Sequence, residues 1–219
     1  MTTFGIRAGQ THAPFVEAEI SMPPKYPNYA YVEPMATGVS DTEIEEIIDD
    51  LVSQSPGMSL PHGDPMDPIC RALNVDIEYS SPPHEILLDV PQGRKSCIWL
   101  PKKGKPRQDR FMAAMGVGHW ILHVPTTREA NPGCGIQALL RPTDRTAQAE
   151  AVRFARILLM PGEVFCSLWY EGRANLVADT LNVPTQAVYE RATTLDIPTD
   201  DGRGNKFEWK TRAQVSGRY

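Results

Sequence analysis

Apolar positions recur at helical spacing in three long stretches of the chain. Ile44, Ile47, Ile48, Leu51 and Val52 form one stripe. Phe111, Ala114, Met115, Gly118, Ile121 and Leu122 form a second, and Ala151, Phe154, Ala155, Leu158 and Leu159 a third. A period near 3.6 puts each set on one face, which predicts amphipathic helices over 41–53, 107–123 and 144–160. Ser40 followed by Glu43 has capping-box spacing and fixes the start of the first helix. Ser55-Pro56-Gly57 ends it, and Pro161 stops the third. A short helix over 67–74 turns Ile69, Cys70 and Leu73 inward. Two more, over 173–181 and 185–195, meet at Asn182-Val183-Pro184, a helix-turn-helix shape that is more often a packing unit than a DNA reader.

Three segments read as strands: 75–79, 85–90 and 97–100, the first two parted by Pro82-Pro83. His84-Glu85 is taken as a strand start, since Leu88 stands where a second histidine would be needed for metal binding. Lys102 to Arg107 reads as a basic turn, and 126–142 as a loop with Pro132-Gly133 at its tip. Residues 1–38 hold Pro14, Pro23, Pro24, Pro27 and Pro34 without a clear period, as an extended arm would. The order of elements predicts an α+β fold: a small, mostly antiparallel sheet packed against two core helices, then a helix-turn-helix-like module. The expected segments are 1–57 (arm and acidic helix), 58–161 (core domain), 162–198 (short helical module) and 199–219 (basic, mobile tail).

Composition narrows the function classes. At 41% hydrophobic residues the 219-residue chain can build a sizeable core. A net charge of -5 argues against a general nucleic-acid binder. The charge is uneven: Asp41, Glu43, Glu45, Glu46, Asp49 and Asp50 crowd one helix, while Arg203, Lys206, Lys210, Arg212 and Arg218 mark the end. Solvated surface is the favoured reading of both runs. Cys70, Cys97, Cys134 and Cys166 form no C-x-x-C pair, no secretory signal opens the chain, and no apolar run suits a membrane span. A cytoplasmic, reduced protein with separate, mostly buried thiols is expected. No Gly-rich phosphate loop and no serine-nucleophile arrangement is visible.

The stretch from Arg110 to His123 reads R-F-M-A-A-M-G-V-G-H-W-I-L-H. It is similar to the pattern R-F-x-x-A-H-E-x-G-H-W-x-L-H of the ImmA/IrrE zinc endopeptidases. Gln148 to Pro161 resembles the same family's E-x-x-A-N-x-F-A-x-x-L-L-M-P. Leu176 to Ile197 resembles its following helical module, through Val183, Ala187, Val188, Arg191 and Leu195. The resemblance spans about 58–197. It implies a zincin-like domain in a bacterial, cytoplasmic protein. Active members cleave helix-turn-helix repressors of phages, mobile elements or stress regulons. In such a site two histidines one helical turn apart bind zinc, the glutamate beside the first is the general base, and a glutamate of the next helix is the third ligand. The metal lowers the pKa of its water from about 15.7 to about 7.

This chain departs from that pattern where the chemistry sits. Met115 stands at the first histidine, Gly116 at the catalytic glutamate and Gln148 at the third ligand; His119 alone matches a metal-ligand position. A thioether and an amide are poor zinc ligands, and glycine offers no base. Gly116 and Gly118 also imply a locally soft helix. A relocated site is conceivable around His119 and His123, with Cys134 or Cys166 as added donors. Glu150 lies roughly 160° from Gln148 around the helix and reads as a poor substitute. The plainer reading makes His119 a partly buried, hydrogen-bonded histidine and His123 a residue near a helix end.

The expectation is therefore a catalytically degenerate protein with no catalytic residue and no cofactor. Zinc is expected only if the site is rescued. It would bind a protein partner, such as a helix-turn-helix repressor, without cleaving it. The alternative is an active zinc endopeptidase of repressors with a relocated site. A weaker third reading, a DNA-binding module built on 173–195 and the tail, makes DNA a partner that is not expected. Oligomeric state is left open. Restoring Met115→His, Gly116→Glu and Gln148→Glu together is expected to return zinc binding.

Overall fold

Ser40 caps the first helix as its spacing requires. Its backbone N–H and hydroxyl both donate to the Glu43 carboxylate, at 2.7 and 2.8 Å, and Glu43 N–H returns a bond to the hydroxyl. The computed structural model describes residues 30–54, 60, 63–81 and 84–199. The arm before residue 30, the Ser55-Pro56-Gly57 stop, the Pro82-Pro83 break and the tail from residue 200 lie outside the described residues. The chain runs β1 (Tyr31–Val32), α1 (Asp41–Gln54), α2 (Asp67–Ala72), β2 (Val75–Ser80), β3 (Ile86–Val90), β4 (Ser96–Pro101) and α3 (Pro106–Gly118). A π-helical turn (His119–His123) leads to α4 (Val124–Ala130), β5 (Gly135–Leu139), α5 (Thr146–Leu159), α6 (Gly162–Thr180) and α7 (Thr185–Thr194).

The fold is α+β, as expected, but its sheet is mixed. Strand order is β1-β5-β3-β4-β2. The central strand β3 runs antiparallel to β4 and β5, while β2 lies parallel to β4 and β1 parallel to β5. The correction has a topological cause. β2 is carried past β3 to join β4, and β1 reaches β5 from the far end of the sequence, so neither outer pair is a hairpin. β3 and β5 are buried along their whole length. β5 falls inside the expected loop. Its Gly135 and its buried Gln137, which donates to Asp89 at 2.9 Å, break the apolar pattern that would reveal a strand.

The second core helix does not end at His123. Its N–H ladder widens by one residue, the Val124 N–H bonding to the His119 carbonyl, and the helix continues to Ala130. Pro125 has no N–H and would crowd the preceding carbonyl turn, and the wider turn accommodates it. The two glycines before that turn sit at close packing contacts. A Cβ on Gly116 would lie 2.8 Å from Ile98 of β4, and one on Gly118 would lie 3.0 Å from Phe154 of α5. Glycine lets the helix press on both neighbours.

One hydrophobic cluster runs from Ile44 through Phe111, Phe154 and Trp169 to Val188 and Ile197. The apolar stripe of α1 packs on this chain's own core, chiefly α5, with Ile44 buried and Ile47, Ile48 and Leu51 half-buried. α6 begins at Gly162, eleven residues ahead of the helix expected at 173; Gly172 and Arg173 interrupt it, Arg173 at φ 60°. Trp169 is fully buried, stacked on Phe165 at 5.8 Å and met edge-on by Tyr189 at 6.2 Å. The buried Arg191 of α7 reaches the Met160 carbonyl and Glu45, while Arg110 of α3 donates to the carbonyls of Asp64 and Leu181. These guanidinium groups satisfy backbone oxygens left over at helix ends. The α6–α7 pair therefore packs as part of the core. Cys70 is buried and the other three thiols are half-buried; all are free.

Candidate functional site

The π-turn sets two imidazoles on one another. His119 and His123 have ring centroids 4.9 Å apart, and their Nδ1 atoms approach to 3.0 Å. His119 is 3% exposed and His123 0%, so both are more deeply buried than the sequence suggests, and His123 sits mid-rod rather than at a helix end. On its other edge, His123 Nε2 meets Glu150 Oε2 of α5 at 2.9 Å. This reverses the expected roles of two residues on α5. Gln148 turns away and donates to the Leu140 carbonyl at 3.0 Å, while Glu150 faces the histidines. The two side chains take opposed directions, as their spacing implies, and Glu150 is the one beside the histidines. The signal was present: Glu150 falls on the stripe of Ala147, Ala151 and Phe154, a charge on a core face.

Glu150 also holds the segment that enters α1. The Thr37 N–H and hydroxyl donate to Oε2 at 2.9 and 3.1 Å, and the Gly38 N–H donates to Oε1 at 2.8 Å. Upstream, Met35 N–H donates to the buried Thr127 hydroxyl of α4 at 2.9 Å. Downstream, Arg153 of α5 bonds the Val39 carbonyl and the Asp41 carboxylate. Residues 35–41 thus cross α4 and α5 and share one carboxylate with His123. Gly38 takes φ +76°, which glycine adopts without strain. Sequence reading missed Thr37 and Gly38 because their partner lies more than a hundred residues away.

The hydrogen bonds fix the protons. Burial, outweighed by N–H donors from Thr37, His123 and Gly38, leaves the Glu150 carboxyl below its ordinary range, as a carboxylate. An acceptor there requires His123 to carry its proton on Nε2, and its Nδ1 then accepts from His119 Nδ1–H. Both rings are neutral in this arrangement. Burial, then proximity to His123, pushes His119 down to about 3, and burial also lowers His123 against the pull of Glu150. The remaining lone pair, on His119 Nε2, is buried with no hydrogen-bond partner among the described residues.

Zinc in a catalytic site of this type needs three protein donors converging at about 2.0–2.2 Å, with a free position for water. Here only the two Nδ1 atoms face one another, and Glu150 lies against the opposite edge of His123. No three His, Cys, Asp or Glu among the described residues are grouped to hold a metal ion. Gly116 supplies no base and its Cα faces Ile98 of the sheet. The residues present do not fit a catalytic zinc in this arrangement.

A mixed sheet backed by a helix bearing paired imidazoles, with a carboxylate from the next core helix, defines a metallopeptidase-like framework. The family model described as the IrrE N-terminal-like domain, a peptidase family, matches residues 70–193, and the chain belongs to that family. No curated protein matches the chain. No helix among the described residues is long and apolar enough to cross a membrane.

Proposed function

We propose that this chain is a catalytically degenerate ImmA/IrrE-type protein that binds a regulatory partner, a helix-turn-helix repressor by analogy with the family, without cleaving it. One observation carries the reading: Glu150, the one acid on the imidazole pair among the described residues, commits its carboxylate to Thr37, Gly38 and His123. Met115, Gly116 and Gln148 stand where the family's pattern places zinc chemistry. The core helices of the family framework are kept around them, so a surface that recognises a partner can outlast the reaction. Metal analysis of freshly purified protein is expected to give far less than one zinc per chain. Incubation with candidate repressors is expected to give co-purification without cleavage. Recovery of no transcriptional regulator by the folded protein would sink the proposal.

A second reading rests on the 3.0 Å approach of the two Nδ1 atoms. Two nitrogens at that separation suit one ion, with Glu150 behind His123 as the carboxylate that orients a metal-bound imidazole. An active zinc endopeptidase would need further donors and a base from outside the described residues. One zinc per chain together with chelator-sensitive cleavage would establish it and displace the first reading.

A further inference from the structure

His119 points into the protein, but the next residue on the π-turn lines a cleft. Trp120 shares a concavity of about 460 Å³ with the β3–β4 turn, the residue ahead of β2, and α4. Its polar lining is basic and neutral: Arg94, Lys95, Arg128, Asn74 and Gln92, with no carboxylate. Lys95 is tied to Asp76 at 2.5 Å, both side chains half exposed. The Arg94 and Arg128 side chains make no ion pair or hydrogen bond among the described residues. In a chain of net charge -5, this hollow gathers two guanidinium groups that no carboxylate among its lining residues faces. Gly93, at φ +65°, makes the tight turn from which Arg94 and Lys95 project.

We infer that this cleft is a binding site for a nucleoside phosphate. Planar guanidinium forks bind phosphate oxygens in pairs. An indole face stacks a base of any identity, and side-chain amides bond to base edges and ribose hydroxyls. The volume falls within the range of small-molecule pockets, about 300–1,000 Å³. A single hollow in an acidic protein does not suit a duplex, which needs an extended basic stripe. An acidic peptide would use the cations but leave the indole without a matched partner.

The full chain titrated with adenosine monophosphate at low salt is expected to show saturable one-to-one binding by calorimetry. Inorganic phosphate and adenosine are each expected to bind at least about tenfold more weakly, because each lacks half of the recognition. Arg94→Ala and Arg128→Ala, both on exposed side chains, are each expected to lower affinity about tenfold with unchanged melting temperature. Trp120→Leu is expected to lose about as much; the arginine variants carry the test if that half-buried position disturbs folding. A 5′-phosphorylated trinucleotide separates the sources. Equal affinity assigns a free nucleotide, tighter binding assigns the end of a single strand, and either upholds the nucleoside-phosphate chemistry. Three results overturn the inference: no saturation at millimolar nucleotide, phosphate binding as tightly as nucleotide, or unaltered affinity in both arginine variants.

Discussion

Two polar clusters share the π-turn, and they are finished in opposite ways. On the inner side, His123 and Glu150 find all their partners within the chain, leaving one lone pair on His119 unmatched. On the outer side, the Arg94 and Arg128 side chains stand in a hollow with no partner among the described residues. A buried polar group left unpaired is costly, so folding itself favours the pairing of His123 and Glu150. Exposed guanidinium groups are solvated and carry no such penalty, so their placement is free to serve a ligand. The contrast warns against taking burial and a family motif together as evidence of reactivity. Here His119, His123 and Glu150 join the π-turn to α5 and to the strap over residues 35–41.

The comparison breaks most readily at Glu150. Glu150→Ala strands the Thr37 and Gly38 N–H groups and His123 Nε2 together, so a loss of about 3–5 kcal/mol in urea unfolding is expected. Proteolysis near residues 30–40 should accelerate with it. A loss under about 1 kcal/mol would mean that the carboxylate is not the joint.

Gly116 tests the sheet side of the same helix. Gly116→Ala places a methyl 2.8 Å from Ile98, and overpacking of about 1–3 kcal/mol is expected. It also revises the restoration experiment. Met115→His, Gly116→Glu and Gln148→Glu together put a carboxylate against β4 and a second one beside the Leu140 carbonyl, so the triple variant is expected to unfold rather than to recover zinc. A folded, zinc-loaded triple variant, judged by circular dichroism and metal content, would refute that packing argument.

The pH dependence follows from depressed histidines. His119 titrates at about 3 when folded against 6.5 when unfolded, and His123 shifts the same way. The unfolded chain therefore binds protons that the folded one refuses. Stability is full above pH 6.5 and falls as pH drops toward the folded value, by on the order of 1–2 kcal/mol down to pH 5. Glu150, also depressed, adds to the loss at lower pH. Denaturation midpoints at pH 7 and pH 5 should differ accordingly, and His119→Gln should flatten the slope. The smallest effect belongs to the outer cluster: Arg94→Ala, Arg128→Ala and Lys95→Ala are expected to change stability by no more than about 0.5 kcal/mol.

What the sequence shows of this fold is the part built from local rules. The capping box of α1, the apolar faces of α3 and α5, and strands β2 to β4 appear at or within a few residues of their predicted places. Failures occur where a distant partner overrides local signals. Pro125 looks like a helix end because the compensating π-turn is invisible in a linear pattern. β5 is hidden by Gln137, whose partner Asp89 lies on another strand. The expected helix at 173–181 is the half of α6 that follows the kink at Gly172 and Arg173; the half before it, from Gly162, has no counterpart in the sequence reading. In the site, the motif draws attention to His119 and Gln148 and passes over Glu150, since spacing along a helix gives separation between side chains and not the face each one takes. His123 and Glu150 become a pair only when α3 and α5 are packed.

The strap formed by residues 35–41 has a consequence for how the molecule is made. Thr37 and Gly38 leave the ribosome 113 and 112 residues before the glutamate that fastens them. The strap must therefore wait for α5 before it can dock. Closing so long a loop adds little to the equilibrium entropy bill, which rises only with the logarithm of its length, but distant contacts form slowly. Sealing of the imidazole pair is thus a late folding event, timed by translation of the distal helix rather than by the rapid winding of α1.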